Sequence, residues 1–136
     1  EVPHPQGLVG HSDGDVVAHA LCDALLAAAG LPDIGHHFPP GDARWEGVTG
    51  EAMLGVVLGL LRDEGMRVVN AHAVVVCERP RVGPHRTAMQ TALSAVVGAP
   101  VSVHATSTDR MGFTGRGEGI FCQATALVDE GGHPDG

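Results

Sequence analysis

The sequence predicts a small α+β fold of two layers, a mixed β-sheet covered by helices on one face, and three observations carry that expectation. Three stretches, Gly10–Ala29, Thr49–Gly65 and Pro84–Gly98, repeat apolar residues at three- and four-residue spacing, the period of a helix packed on a core. Two short runs, Val68–Glu78 and Val101–Ser107, are rich in valine and lack turn residues, as strands are. A glycine-rich connection, Thr106–Gly119, then leads into a last apolar run, Ile120–Val128. Helices between strands, with two strands joined at the end, favour one sheet with its helices gathered on one side. The 136 residues form one domain over 1–136, with no internal repeat or linker dividing it.

The first helix opens on the polar run His11-Ser12-Asp13-Gly14-Asp15, where Ser12 or Asp13 can cap it by accepting from first-turn N–H groups. Val16, Ala20, Leu21, Ala24, Leu25 and Ala28 are its predicted buried stripe. Asp15, His19 and Asp23 fall four apart and so share one helix face. Three readings of that row stay open. It is a solvated face, or His19 is a metal ligand with a carboxylate fixing its tautomer, or His19 is an acid or base. On the row alone the solvated face has the advantage.

Glu1–Gln6, with two prolines, reads as a turn or exposed lead-in. Gly30–Asp42 holds three prolines and three glycines, the composition of a shaped loop, yet it also carries Asp33, His36, His37 and Asp42, more ionisable groups than a plain connector needs. Thr49 caps the second long helix, Glu51 sits in its first turn, Met53, Leu54, Val57, Leu58 and Leu61 form its apolar face, and Gly65 ends it. Val68–Glu78 reads as a buried strand. It runs into Arg79–His85, where Pro84 takes the first position of a helix carrying Met89, Leu93, Val96 and Val97 and closed by Gly98. In Val101–Ser107, Val101, Val103 and Ala105 alternate with Ser102, His104 and Thr106, a half-buried strand. The tail Asp129–Gly136 lacks apolar content and is expected to fray.

Composition removes several function classes. Sixteen acidic residues against eight arginines, with no lysine, give a net charge of −8, which argues against a nucleic-acid surface. No apolar run approaches the ~20 residues a membrane span requires. Cys22, Cys77 and Cys122 are an odd number, lie in apolar patterns and make no C-x-x-C, as reduced core thiols of a non-secreted protein would. Aromatic residues are only 3%, so the core is built from valine, leucine and alanine and is modest for a monomer, which makes an oligomer reasonable.

An acidic protein that handles phosphates must do so locally. Thr106–Gly119 contains four glycines, four hydroxyl residues, Arg110, Arg116 and Asp109. Backbone N–H groups and arginines there can wrap phosphate oxygens, and Asp109 can hold a hard cation such as Mg²⁺. A flexible hairpin loop explains the glycines equally well. There is no G-x-S-x-G elbow, Walker A loop, dinucleotide fingerprint or H-E-x-x-H. The residues by themselves reach as far as a small domain with a metal-assisted phosphate site.

Taken together and in order, H-S-D-G-D-V-x-x-H-A-L-x-D-A-L-L, D-I-G-x-x-F-P, R-P-R-x-x-P-H and T-S-T-D-x-M-G-F-T-G-R-G-E-G closely resemble the 2-C-methyl-D-erythritol 2,4-cyclodiphosphate synthases of the non-mevalonate isoprenoid pathway. The resemblance covers Gly10–Val128 and implies a homotrimer of α/β subunits with active sites between neighbours. It implies a lyase that takes 4-diphosphocytidyl-2-C-methyl-D-erythritol 2-phosphate to the 2,4-cyclodiphosphate and CMP. It implies cytoplasmic action in bacteria, or action in a plastid-type compartment.

Carried over by resemblance, His19 is one of three ligands to Zn²⁺ or another divalent transition metal, with Asp15 and Asp23 supporting it. His11 and Ser12 contact phosphates and erythritol, with His11 acting in the transition state. Asp33, Ile34 and Gly35 match the erythritol site, and Phe38, Pro39, Pro40, Gly41 and Asp42 close over it. Cys77, Glu78, Arg79, Pro80, Arg81, Val82 and Gly83 match the segment that holds cytosine, with Arg81 near the diphosphate. Thr106, Ser107, Thr108 and Asp109 match a Thr-Thr-Thr-Glu segment in which Ser107 takes a catalytic hydroxyl role and Asp109 the carboxylate on Mg²⁺ or Mn²⁺. Phe113, Arg116 and Glu118 match residues on a threefold axis where isoprenoid diphosphates bind.

Three departures accompany the resemblance. The D-x-H pair of zinc ligands that the family carries upstream of the first helix has no counterpart in Glu1–Val9, so an additional upstream segment is expected, with or without a fused cytidylyltransferase domain. Asp109 is one methylene shorter than glutamate and would reach its cation through a water. Pro40 stands where the family has an acidic residue. The competing function is a trimeric binding protein for isoprenoid diphosphates that has lost zinc and turnover, and an upstream D-x-H separates the two.

Overall fold

In a computed structural model of the chain the described residues are 6–39, 41–43, 48–76, 82–106 and 121–130, with side chains described from Gly14 in the first helix and from Arg86 in the last. In chain order they form α1 (Gln6–Ala28), α2 (Ile34–His37), α3 (Gly50–Asp63), β1 (Met66–Val76), α4 (Val82–Val97), β2 (Val101–Thr106) and β3 (Phe121–Glu130). The strands make one sheet in the order β2-β1-β3, with β1 parallel to β2 and antiparallel to β3. This is the mixed α+β sheet the sequence predicts.

Helix α3 follows its sequence signals closely. Thr49 is the N-cap, its hydroxyl accepting from Ala52 N–H at 3.1 Å, and Gly65 leaves the helix at a φ of 74°. Met53, Leu54, Val57, Leu58 and Leu61 are all buried, because they fall on the stripe facing α1 and β1. Likewise Leu93 and Val97 of α4 are buried, and Gly98 closes that helix at a φ of 78°. Pro84 is the third residue of α4 rather than its first, still within the turn whose N–H groups have no helical partner.

Helix α1 departs from expectation twice. It runs unbroken from Gln6, so Ser12 and Asp13 lie inside the helix rather than at its cap. Interior Ser, Asp and Gly each cost only a fraction of a kcal/mol to about 1 kcal/mol, too little to stop a helix by themselves. Its buried face is also rotated. Val17, Ala18, Leu21, Cys22, Leu25 and Leu26 are buried, whereas Val16, Ala20 and Ala24 are half-buried and Ala28 is exposed. The cause is that α1 packs against both the sheet and α3, a wider contact centred one residue further round.

Strand β1 is buried on one face only. Ala71, Ala73 and Val75 are covered by the helices, while Asn70, His72, Val74 and Val76 face the other way. An unbroken valine-rich run thus reads as a doubly buried strand when only the pleat shows that it is half-buried. Two further corrections are local. Gly30–Asp42 contains a helical turn, α2, capped by Asp33. The last strand, β3, includes Asp129 and Glu130, which were expected to fray; Asp129 is held by Arg67 at 2.9 Å. The sheet's free β2 edge is closed by α4: Gln90 Oε1 accepts from Val103 N–H at 2.7 Å and Ser94 Oγ from Val101 N–H at 2.9 Å.

Candidate active site

The Asp15, His19, Asp23 row projects from α1 toward the connection between α1 and α3. Asp15 Oδ1 accepts from Gly50 N–H at 2.9 Å, at the first turn of α3, and Asp23 Oδ1 accepts from Ile34 N–H at 3.2 Å, at the first turn of α2. Each carboxylate meets a helix N-terminus, where orphan N–H groups and the positive end of the dipole favour an anion. The two bonds pin the connection to α1 on either side of His19, which is exposed. All three side chains are exposed, as a solvated face requires, and the two carboxylates are tethers as well.

Close approach makes the tether possible. A Cβ at Gly50 would lie 2.7 Å from Ala18 Cβ and 2.8 Å from Asp15 Oδ1, so only glycine lets α3 start this near α1.

The pinned connection carries the predicted erythritol-contacting residues. Asp33 Oδ1 accepts from His36 N–H at 3.2 Å, which shapes the turn, and an exposed carboxylate retains acceptor capacity for hydroxyl donors. Ile34 is half-buried, Gly35 exposed and Phe38 buried, so Phe38 anchors the segment into the core while its polar neighbours stay outside. Pro39 and Gly41 are exposed and Asp42 is half-buried, its N–H donating to Pro39 O at 3.2 Å. Gly41 has a φ of 83°, which suits glycine at the bend. His36 and His37 stack edge to face at 5.1 Å, and His37 Nε2 is buried with no hydrogen-bond partner among the described residues.

A second grouping lies at the carboxyl end of the parallel strands. Val76 and Thr106 are register partners, and Val76 also faces Phe121, the first residue of β3. The predicted cytosine-binding stretch therefore leaves β1 beside the point where the glycine-rich stretch leaves β2 and returns as β3. Ligands of sheets with parallel strands collect at this end. Val82 and Gly83 begin α4, and Thr106 is the exposed last residue of β2. Cys77, Glu78, Arg79, Pro80, Arg81, Pro40, Ser107, Thr108, Asp109, Phe113, Arg116 and Glu118 lie outside the described residues, as do the side chains of His11 and Ser12.

Among the described residues no three His, Cys, Asp or Glu side chains are grouped to hold a metal ion. The donors present fit as one ligand of a set, the exposed His19 imidazole. Cys22 and Cys122 are free thiols; burial, and then the Asp23 charge, push Cys22 up to about 12, and burial pushes Cys122 to about 11, so both are inert core thiols at neutral pH. One feature missed in the sequence is His72, which meets His104 across the strands at 2.6 Å. The period-2 alternation of β2 already placed His104 outward, and the same alternation applied to β1 would have placed His72 beside it.

The fold is that of a small α+β protein in which the predicted site residues that are described lie on one helix, on a loop clamped to it and at the carboxyl ends of parallel strands. The chain belongs to the YgbB family, whose model matches residues 1–129. It is 52% identical over 130 residues, 93% of this chain and 78% of the relative, to 2-C-methyl-D-erythritol 2,4-cyclodiphosphate synthase of Xanthomonas axonopodis pv. citri (strain 306). It is 54% identical over 125 residues, 92% of this chain and 74% of the relative, to the Cutibacterium acnes protein of that name. Against the bifunctional enzyme IspD/IspF of Paramagnetospirillum magneticum it is 52% identical over 93% of this chain but spans only 34% of that protein. Among solved structures, 2C-methyl-D-erythritol-2,4-cyclodiphosphate synthase in its CDP-bound form matches with a TM-score of 0.75 at 36% identity, covering 88% of this chain and 79% of that one. The bifunctional IspDF of Campylobacter jejuni matches with a TM-score of 0.79 at 33% identity, covering 87% of this chain and 33% of that one.

Proposed function

We infer that this chain converts 4-diphosphocytidyl-2-C-methyl-D-erythritol 2-phosphate to 2-C-methyl-D-erythritol 2,4-cyclodiphosphate and CMP, as a phosphorus–oxygen lyase of isoprenoid biosynthesis. The observation that carries this is identity above 50% along more than nine-tenths of the chain to enzymes bearing that name. The two site groupings, one on the clamped loop and one at the strand ends, support it.

The substrate supplies its own nucleophile. An oxygen of the 2-phosphate bonds to the β-phosphorus, the bond from that phosphorus to the bridging oxygen breaks, and CMP leaves with the electron pair. The protein needs to fold the substrate so that attacking and leaving oxygens lie in line, and to neutralise charge as it moves. This assigns Asp33 to accept from erythritol hydroxyls, Cys77–Gly83 to hold cytosine with Arg81 toward the diphosphate, and His11, Ser12 and Ser107 to donate to phosphate oxygens. Phe38–Asp42 covers the erythritol end and excludes water.

A divalent transition metal bound in part by His19 would polarise the β-phosphate, and Mg²⁺ or Mn²⁺ on Asp109 would bind the diphosphate oxygens. The active assembly is proposed to be a homotrimer with sites between subunits, a reading supported by Phe121 and Leu127, which stand 48% and 55% exposed on the open sheet face. An axial site for isoprenoid diphosphates is assigned to Phe113, Arg116 and Glu118, and the setting to the bacterial cytoplasm or a plastid-type compartment. The test is CMP release from the diphosphocytidyl substrate by the full-length, zinc-loaded protein, with and without chelator. Release that the chelator stops is expected; no CMP from the loaded protein overturns the reading and leaves the isoprenoid-diphosphate binding protein in its place.

A further inference from the structure

We propose that Asp23 is a positioning residue for the erythritol end of the substrate: its carboxylate ties the turn that carries Asp33 to the helix that carries His19. The inference rests on the proposed activity and adds to it a side chain that acts through the backbone rather than on the substrate. Asp23 Oδ1 accepts from Ile34 N–H at 3.2 Å, a contact between residues 11 apart in the chain. Ile34 is the first residue of α2 and follows directly on Asp33, the cap of that turn.

The path of the chain makes the contact possible. Helix α1 ends in a Schellman turn: Gly30, at a φ of 75°, donates its N–H to Ala27 O at 3.1 Å, and Leu31 N–H donates to Leu26 O at 2.8 Å. Leu31 then packs on the core, so the chain folds back along α1 instead of running past its end. Two carboxylates meet the first turn of α2. Asp33 Oδ1 takes the His36 N–H at 3.2 Å from within the turn, and Asp23 takes the Ile34 N–H from outside it. The first shapes the turn; the second fixes where its start stands on α1. Phe38, which is buried, anchors the exit.

That placement bears on the reaction. Asp23 and His19 stand one helical turn apart on the exposed face of α1. A tether one residue from Asp33 therefore sets the distance between the acceptor for erythritol hydroxyls and the helix face that presents the His19 imidazole. Among the described residues the hydrogen bond of Asp23 goes to the loop backbone and not to the His19 ring, so its support is given to the turn rather than to a metal ligand. Asp33 would hold hydroxyls that take no part in bond making, alike in ground and transition states. Loss of its alignment should thus appear in KM more than in kcat.

The experiment compares Asp23→Ala and Asp23→Asn with the parent, all full-length and zinc-loaded, with circular dichroism to establish that both variants are folded. Alanine removes the acceptor, whereas asparagine keeps a carbonyl oxygen in its place. In CMP release, KM for the diphosphocytidyl substrate should rise roughly two- to tenfold in Asp23→Ala, the worth of one such hydrogen bond, with kcat changed by less. In Asp23→Asn it should stay near that of the parent. Zinc content and the affinity for CDP should match the parent in both, because the tether touches neither the imidazole nor the cytosine stretch. Hydrogen exchange at the Ile34 amide reads the tether without turnover and should quicken in Asp23→Ala but not in Asp23→Asn. An unchanged KM in a folded Asp23→Ala protein overturns the proposal, as does an asparagine variant as impaired as the alanine one. So does a fall in zinc content or CDP affinity, which would place Asp23 at the metal or the nucleotide instead. No CMP from the parent, by contrast, overturns the proposed activity and this inference with it.

Discussion

Replacing Gly50 by alanine tests whether the contact between α1 and α3 is as tight as the geometry requires. The new methyl would meet Ala18 Cβ at 2.7 Å, Asp15 Oδ1 at 2.8 Å and Asp15 Cα at 3.2 Å. Because Asp15 Cα and Ala18 Cβ belong to the helix itself, a side-chain rotation cannot relieve the overlap, and the two helices must move apart. Overpacking of this kind costs about 1–3 kcal/mol. Separation also stretches the 2.9 Å bond from Gly50 N–H to Asp15. Opposing this, a helical Gly→Ala change gains up to about 1 kcal/mol in propensity. The weakened bond, about 0.5–1.5 kcal/mol if lost, offsets that gain, so the net expectation is a loss of about 1–3 kcal/mol, or a melting point lower by roughly 3–10 °C.

The control lies in the same helix. Gly55 has nothing within 4 Å of an added Cβ, so Gly55→Ala should gain about 0.5–1 kcal/mol. Urea unfolding of the two variants beside the parent measures both. A Gly50→Ala protein as stable as Gly55→Ala would refute the close approach, and with it the clamp that holds the loop beside His19.

Two further expectations concern α1. His19→Ala should abolish zinc retention while changing stability by no more than about 0.5 kcal/mol, because the side chain is exposed; unchanged metal content on elemental analysis would show that His19 is no ligand. Cys22 is neutral in the fold until about pH 12, while its unfolded counterpart ionises from 9.0 upward. Its folded value is raised, so its contribution is whole below pH 9 and is lost between there and pH 12. At pH 10 the loss is about 1.4 kcal/mol. The fall in unfolding free energy from pH 8 to pH 10 should therefore shrink by about that amount in Cys22→Ala, and an undiminished fall would contradict the burial of this thiol.

Several elements were legible because their signals are local. The Thr49 cap, the Met53–Leu61 stripe and the Gly65 stop all act within one or two turns, so spacing alone located α3 almost to the residue. Alternation did the same for β2. The ordered motifs identified the chemistry, since residues that must touch one substrate are fixed in type even when they are distant in space.

By itself, then, the sequence determined the long helices and the strands, the α+β class and the family, all of which depend on short-range periodicity or on residue identity. Only the tertiary structure decided which side of α1 is buried, that Asp15 and Asp23 reach the backbone of Gly50 and Ile34, and that His72 meets His104. The physical reason is one of range. These contacts join residues 11 to 35 positions apart, and their geometry is set by how helices stack and strands align, which no local repeat of apolar and polar residues encodes.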